Sequence, residues 1–224
     1  MSATAKKGPG RPKDAQLPER RREEILDAAA TLFAQHGYRN TDMEYVAQAL
    51  SIAKGTIYRY FASKEELFLA AADRGMRRAG DFVDASIVAD ADPLERMAHA
   101  VRAYLTFFRN HPQFVELLIQ ERAEFRDRPQ QTYFAYRDRR MAPWREVFRG
   151  LIAQGRIRQL PPEQIVTVLC NLVYGTMFTN YFTGQQDPPE RQAADIMDIV
   201  LNGLLTGRQS NPLPASASEA RHEG

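Results

Sequence analysis

Ala53-Lys54-Gly55-Thr56-Ile57-Tyr58-Arg59-Tyr60-Phe61 (AKGTIYRYF) is the stretch on which the fold turns. Ile57 and Phe61 stand four residues apart, which puts both on one face of a helix and gives it something to anchor. The other large side chains, Lys54, Thr56, Tyr58, Arg59 and Tyr60, are polar or amphipathic and lie off that stripe. Gly55 offers bare backbone near the helix N-terminus, where the N–H groups and the positive end of the dipole attract an anion.

The flanks supply the frame. Upstream, Ile25, Ala29, Leu32 and Phe33 share a helical face, and Gly37 provides a stop. Thr41 is the expected N-cap of a second, short helix, with Glu44 completing a capping box and Met43, Val46, Ala47 and Leu50 turned inward. Ser51 and Ile52 make a tight turn into AKGTIYRYF, and Ser63 with Glu66 opens a fourth helix through Leu67, Phe68 and Ala71 toward Phe82. Two short helices joined by a tight turn, the second rich in exposed polar groups, form a helix-turn-helix. In that motif the second helix enters the major groove of DNA, whose width admits one helix. Ile57 and Phe61 are then the anchors, packed on Ile25, Leu32, Val46 and Leu50.

The totals agree. At 224 residues and 44% hydrophobic content the chain can bury a real core. Its net charge of +2 is unevenly spread: residues 1–64 hold 11 Lys or Arg against 7 acids, leaving the remainder at −2. The lone Cys170 excludes an internal disulfide, no apolar leader follows the basic start, and no stretch is expected to span a bilayer, so the expected compartment is a reducing cytoplasm. Residues 1–18 are expected to be a disordered basic arm, and their Gly8-Pro9-Gly10-Arg11-Pro12-Lys13 segment resembles arms that lay an Arg, here Arg11, into a narrow minor groove.

Taken together, Ile25-Leu26-Asp27-Ala28-Ala29, Leu32-Phe33, His36-Gly37-Tyr38, Thr41, Val46-Ala47, Lys54-Gly55-Thr56-Ile57-Tyr58-Arg59-Tyr60-Phe61 and Ser63-Lys64-Glu65-Glu66-Leu67 resemble the DNA-binding domain of the tetracycline-repressor (TetR) family. The resemblance covers residues 20–70 and implies an all-α protein of about nine helices. Its DNA-binding domain would span 19–66, a helical ligand-binding and dimerisation domain 67–206, and a disordered tail 207–224. It further implies that Thr56 and Tyr58 meet the DNA backbone and thymine methyls, that Tyr60 and Lys64 bind phosphate, and that Lys54, Gly55 and Arg59 approach bases or phosphates. Thr41 and Glu44 would reach the duplex from the bracing helix. Two positions depart from the family pattern: Ser51 stands where Gly is usual, and Ala53 replaces a capping Ser, a loss of about 1 kcal/mol.

Further helices are expected at about 93–109, 112–125, 129–154, 162–183 and 189–206, set apart by Pro and Gly signals. Within them, Met97, Tyr104, Phe107, Phe108, Phe114, Leu118, Tyr133, Trp144, Phe148, Tyr174, Met177 and Phe178 form an aromatic and Met-rich group. With the polar Glu121, Cys170 and Asn171 it suits the lining of a cavity for a hydrophobic or amphipathic ligand. The segment 165–182 is apolar on almost every side and the last helix is amphipathic. Val173, Asn180, Tyr181, Met197, Val200, Leu201 and Leu204 are therefore expected at the interface of a homodimer that binds an inverted-repeat operator.

Two rival classes fare worse. An enzyme would need a phosphate loop, a metal set or a nucleophile with its base, and His36, His99, His111 and His222 show no metal spacing, while Cys170 has no His nearby in sequence. No cofactor or metal is expected. A helical adaptor working through protein contacts would have no use for Lys54, Thr56, Tyr58 and Lys64.

Overall fold

The computed structural model describes residues 17–184 and 187–203, so Arg11 with its arm, Leu204 and the 207–224 tail lie outside the described residues. It is all-α, with ten helices among those residues: α1 (Leu17–Asn40), α2 (Met43–Ala49), α3 (Lys54–Tyr58), α4 (Lys64–Ser86), α5 (Pro93–Asn110), α6 (Pro112–Glu124), α7 (Thr132–Arg140), α8 (Ala142–Ala153), α9 (Pro162–Thr183) and α10 (Pro189–Asn202).

The helix ends follow local chemistry, with corrections to the sequence reading. Gly37 breaks α1 at φ 82°, a value a side chain would resist. Asp42, not Thr41, caps α2: its carboxylate accepts the Tyr45 N–H at 2.8 Å. Thr41 is wholly buried and its hydroxyl donates to the Leu32 carbonyl at 3.3 Å, so it braces α1 against α2. Ser63 caps α4 as expected, accepting the Glu66 N–H at 3.1 Å. Glu66 returns the bond to Ala62 N at 2.7 Å, one residue before the usual partner. The single helix expected over 129–154 is two, because Pro143 has no N–H to give and restricts the residue before it; Met141 sits at the junction of α7 and α8.

Two apolar cores result. The first joins Ile25, Leu26, Phe33, Val46, Ile57, Phe61, Leu67 and Phe68 to Phe107, Phe114 and Leu117, so α1 to α4 share one interior with α5 and α6. Tyr38 is wedged edge-on against Phe68 and Phe125 at 5.2 and 5.0 Å, and Gln120 of α6 donates to the Phe33 carbonyl of α1 at 2.9 Å. The second core, Met97, Val101, Leu105, Phe148, Leu151, Val166, Ala193 and Met197, holds α5, α8, α9 and α10 together. Helix α4 belongs to both halves: Leu67, Phe68 and Ala71 are buried with the N-terminal helices, and Met76, Ala79, Gly80, Val83 and Asp84 line a cavity of the second half.

Helix α9 corrects the expectation that no stretch reaches bilayer-spanning length, since its 22 residues are long and apolar enough by composition. In this fold it buries Val166, Val173 and Met177 and leaves Val168, Leu172 and Phe182 exposed.

Candidate nucleic-acid interface and effector cavity

Helix α3 is held from below and bare above. Ile57 and Phe61 are buried to within 1%, and the amides of Tyr60 and Phe61 both reach the Ile57 carbonyl, at 2.9 and 3.0 Å, extending the turn past the helix proper. Ala53 makes no side-chain cap, and Ser51 lies at φ 52°, the left-handed backbone expected where Gly is usual.

The predicted contact residues divide. Lys54, Gly55, Tyr58, Arg59 and Glu44 are exposed, while Thr56 and Tyr60 are half-buried and Tyr60 packs against the first core. Lys54 and Glu44 pair across the turn at 3.8 Å, which mutes part of the positive charge. Thr41 is sealed inside and presents nothing to a duplex. Lys64 sits over the Tyr38 ring at 4.5 Å and donates to the Tyr38 carbonyl at 2.9 Å, stitching α4 to the end of α1. Tyr45 and Gln48 of α2 are also exposed, and the Tyr45 hydroxyl lies 3.2 Å from His36 Nε2.

A cavity of about 510 Å³ lies between α4, α5, α7, α8 and α9, within the range of small-molecule sites. Of the predicted lining, Met97, Tyr104, Tyr133, Trp144, Phe148 and Cys170 are on its wall. The others are elsewhere, for identifiable reasons. Phe107, Phe108, Phe114 and Leu118 fill the first core. Glu121 is fully buried beneath the α6–α7 junction, where it takes Arg128 and the Thr132 amide and hydroxyl, each of these last two at 2.9 Å. Met177 is core and receives the Tyr104 hydroxyl at 3.5 Å, Tyr174 stacks on Tyr133 at 4.0 Å, Phe178 packs against Tyr174, and Asn171 is exposed.

The cavity wall has two characters. Met76, Ala79, Val83, Ile87, Ala100, Val101, Val147, Val166 and Leu169 are apolar, whereas Arg96, Arg137, Arg139 and Arg140 bring cations that composition alone did not flag. Burial pushes the phenols of Tyr104 and Tyr133 and the Cys170 thiol upward, so all three are neutral near pH 7. Cys170 rests 3.6 Å from the Met141 sulfur and behaves as a packing group.

The predicted dimer residues also separate. Val173 lines the cavity, Met197 is core, Asn180 pairs with Gln192 through two bonds of 2.8 Å, and Tyr181 donates to Glu116 at 2.6 Å. Val200 is half-buried. The large apolar side chains left exposed on these two helices are Val168, Leu172 and Phe182 of α9 and Ile199 and Leu201 of α10.

Comparison with known proteins agrees with this architecture. Residues 25–71 match the family described as "Bacterial regulatory proteins, tetR family", and residues 90–204 match "Tetracyclin repressor-like, C-terminal domain". The chain is 28% identical over 192 residues to the HTH-type transcriptional repressor KstR2 of Mycobacterium tuberculosis, covering 82% of this chain and 92% of that protein. In structure it is similar to the fatty acid degradation regulator FadR from Bacillus halodurans, at TM-score 0.71 and 19% identity over 89% of this chain and 98% of that one. It is also similar to FadR from Bacillus subtilis in complex with stearoyl-CoA, at TM-score 0.68 and 19% identity over 82% and 99%. These two structural likenesses speak to the fold alone. With both of its halves matched, the chain belongs to the TetR family of bacterial regulatory proteins and is a helix-turn-helix transcriptional regulator, not an enzyme.

Proposed function

We propose that this regulator is a cytoplasmic homodimeric repressor that binds an inverted-repeat operator through α3 and leaves it when a hydrophobic or amphipathic molecule enters the cavity. The observation that carries this reading is the course of α4. One unbroken helix of 23 residues begins in the core beneath α3 and ends on the cavity wall. A change in the cavity that tilts α4 also tilts the reading head, so ligand and DNA bias one equilibrium between two arrangements. That KstR2 is a repressor and that a FadR neighbour carries stearoyl-CoA support the direction of the response and the amphipathic character of the ligand.

Lys54, Gly55, Thr56, Tyr58, Arg59 and Tyr60 are the residues we assign to DNA, with Glu44 at the margin. Val168, Leu172 and Phe182, which share one side of α9, are assigned to the dimer face together with the exposed Ile199 and Leu201 of α10, because exposed apolar side chains of this size suit burial against a second copy. Leu172→Arg tests the reading. The variant is expected to run as a monomer in light scattering and to lose at least tenfold in affinity for the DNA upstream of its own gene. A monomeric wild type, or a monomeric variant with full affinity, contradicts it.

A further inference from the structure

We propose that the seam between α4 and α7 is a subsite for a negatively charged end group of the effector, and that the Asp84 carboxylate is its internal occupant, displaced when ligand binds. The inference rests on the effector-release reading above and adds the chemical class of the ligand and the contact that it breaks.

Asp84 of α4 and Arg140 of α7 both line the cavity and pair with each other. Their side chains are 56% and 36% exposed, so a solute can reach them, and a pair this open to water is weakly held. The neighbouring cations are engaged away from Asp84: Arg139 pairs with Asp73 at 3.6 Å and Arg137 with Asp138 at 2.9 Å. Beside Arg140, the Tyr136 hydroxyl is buried on the cavity wall without a hydrogen-bond partner, and so is Nε of Arg96. Buried donors without acceptors are costly unless something supplies one.

Gly80 sets the shape of this corner. A Cβ there would fall 1.5 Å from the Tyr136 hydroxyl oxygen and 3.4 Å from Cζ of Arg140, so bare α4 backbone is what lets the two polar ends approach. Four arginines and one carboxylate around a largely apolar and aromatic wall select an amphiphile with an apolar body and an anionic end. Its anion takes the place of Asp84 on Arg140 and accepts from Tyr136. That ion pair between α4 and α7 is then lost, the exposed Arg139–Asp73 pair is left as the other charge contact of the seam, and the far end of α4 is less restrained against moving with the DNA-reading core.

Trp144, the chain's one tryptophan, lines the cavity and reports on its occupancy. Full-length protein is titrated with dodecanoate and with dodecan-1-ol below their aggregation limits, following Trp144 emission. Dodecanoate is expected to bind at least fivefold tighter than the alcohol. Asp84→Asn should tighten dodecanoate a further threefold or more and leave the alcohol within twofold. Arg140→Gln should erase the preference. Asp81→Asn, which removes a nearby exposed carboxylate outside the cavity lining, should change dodecanoate binding less than twofold. Equal binding of acid and alcohol, no response to either, or weaker dodecanoate binding in Asp84→Asn overturns the subsite.

The same proteins are then assayed on DNA from upstream of the gene. Dodecanoate should release wild-type protein, and Asp84→Asn should weaken DNA binding two- to fivefold without ligand. A carboxylate preference at Trp144 with DNA affinity unmoved by either change overturns the effector-release reading and leaves the subsite standing.

Discussion

The Arg74 guanidinium of α4 grips the Asp27 carboxylate of α1 through two hydrogen bonds, 2.6 and 3.0 Å long. It also pairs with Glu23, and Arg78 adds a bond of 3.1 Å to Asp27. Arg74 is only 8% exposed, while the carboxylates keep much of their hydration. This cluster fastens α4, the cavity helix, to α1, the first helix of the N-terminal core.

Arg74→Met keeps the apolar stem and removes the donors. Because Asp27 and Glu23 can rehydrate, the expected loss is about 1–2 kcal/mol, below that of breaking a fully buried pair. Urea unfolding should show a lower midpoint at unchanged slope, and DNA affinity should respond less to cavity ligands. An unchanged midpoint would remove the cluster from the account.

Tyr58 and Ile57 are neighbours with opposite fates: the first is 47% exposed and the second 0%. Tyr58→Ala should lower DNA affinity at least tenfold while stability stays within about 0.5 kcal/mol, as for exposed positions generally. Ile57→Ala should cost about 2–4 kcal/mol of stability by opening a cavity beneath the helix. If the two variants behave alike, the division of α3 into anchor and reader fails.

The turn carries two departures that can be repaired. Ala53→Ser supplies the missing cap and should stabilise by about 0.5–1 kcal/mol. Ser51→Gly relieves a left-handed backbone at φ 52° and should add about 1 kcal/mol. Chemical denaturation of the single and double variants checks both, and a destabilised Ser51→Gly would show that the conformation is not strained.

The second half should be sensitive to alkali. Burial raises the phenols of Tyr104, Tyr133, Tyr136 and Tyr174, and burial with the Glu116 carboxylate pushes Tyr181 up to about 12. An unfolded phenol titrates near 10. These groups therefore contribute stability that is fully present below pH 10 and is lost as pH rises toward 12 and beyond. Phenolate absorbance should appear together with loss of helicity, and full ionisation with helicity intact would contradict the burial.

The N-terminal half was legible in the sequence because its signals are local. Ile57 and Phe61 mark a stripe, Ser63 and Glu66 mark a start, and Ala53 marks a missing cap, each within one or two helical turns. Thr41 misled because Asp42 offers the same cap one residue later with a stronger acceptor, which frees Thr41 to be buried. The cavity was only half legible. Tyr104 and Phe107 sit on one helix with similar chemistry, yet one lines the cavity and the other fills the core, and only the packing of α5 on its neighbours distinguishes them. Arg140 was invisible for a related reason: a basic helix end reads as solvated until the partner helix carrying Asp84 is in place.

We propose that α3, presented twice by a symmetric dimer, reads DNA. Selection of binding sites from a random DNA pool with the full-length chain tests it most directly. One inverted repeat whose half-sites are spaced by whole turns of the duplex should be enriched, and that enrichment should be lost with Tyr58→Ala. A pool that shows no enriched sequence, or the same sequence selected equally well by Tyr58→Ala, would contradict it.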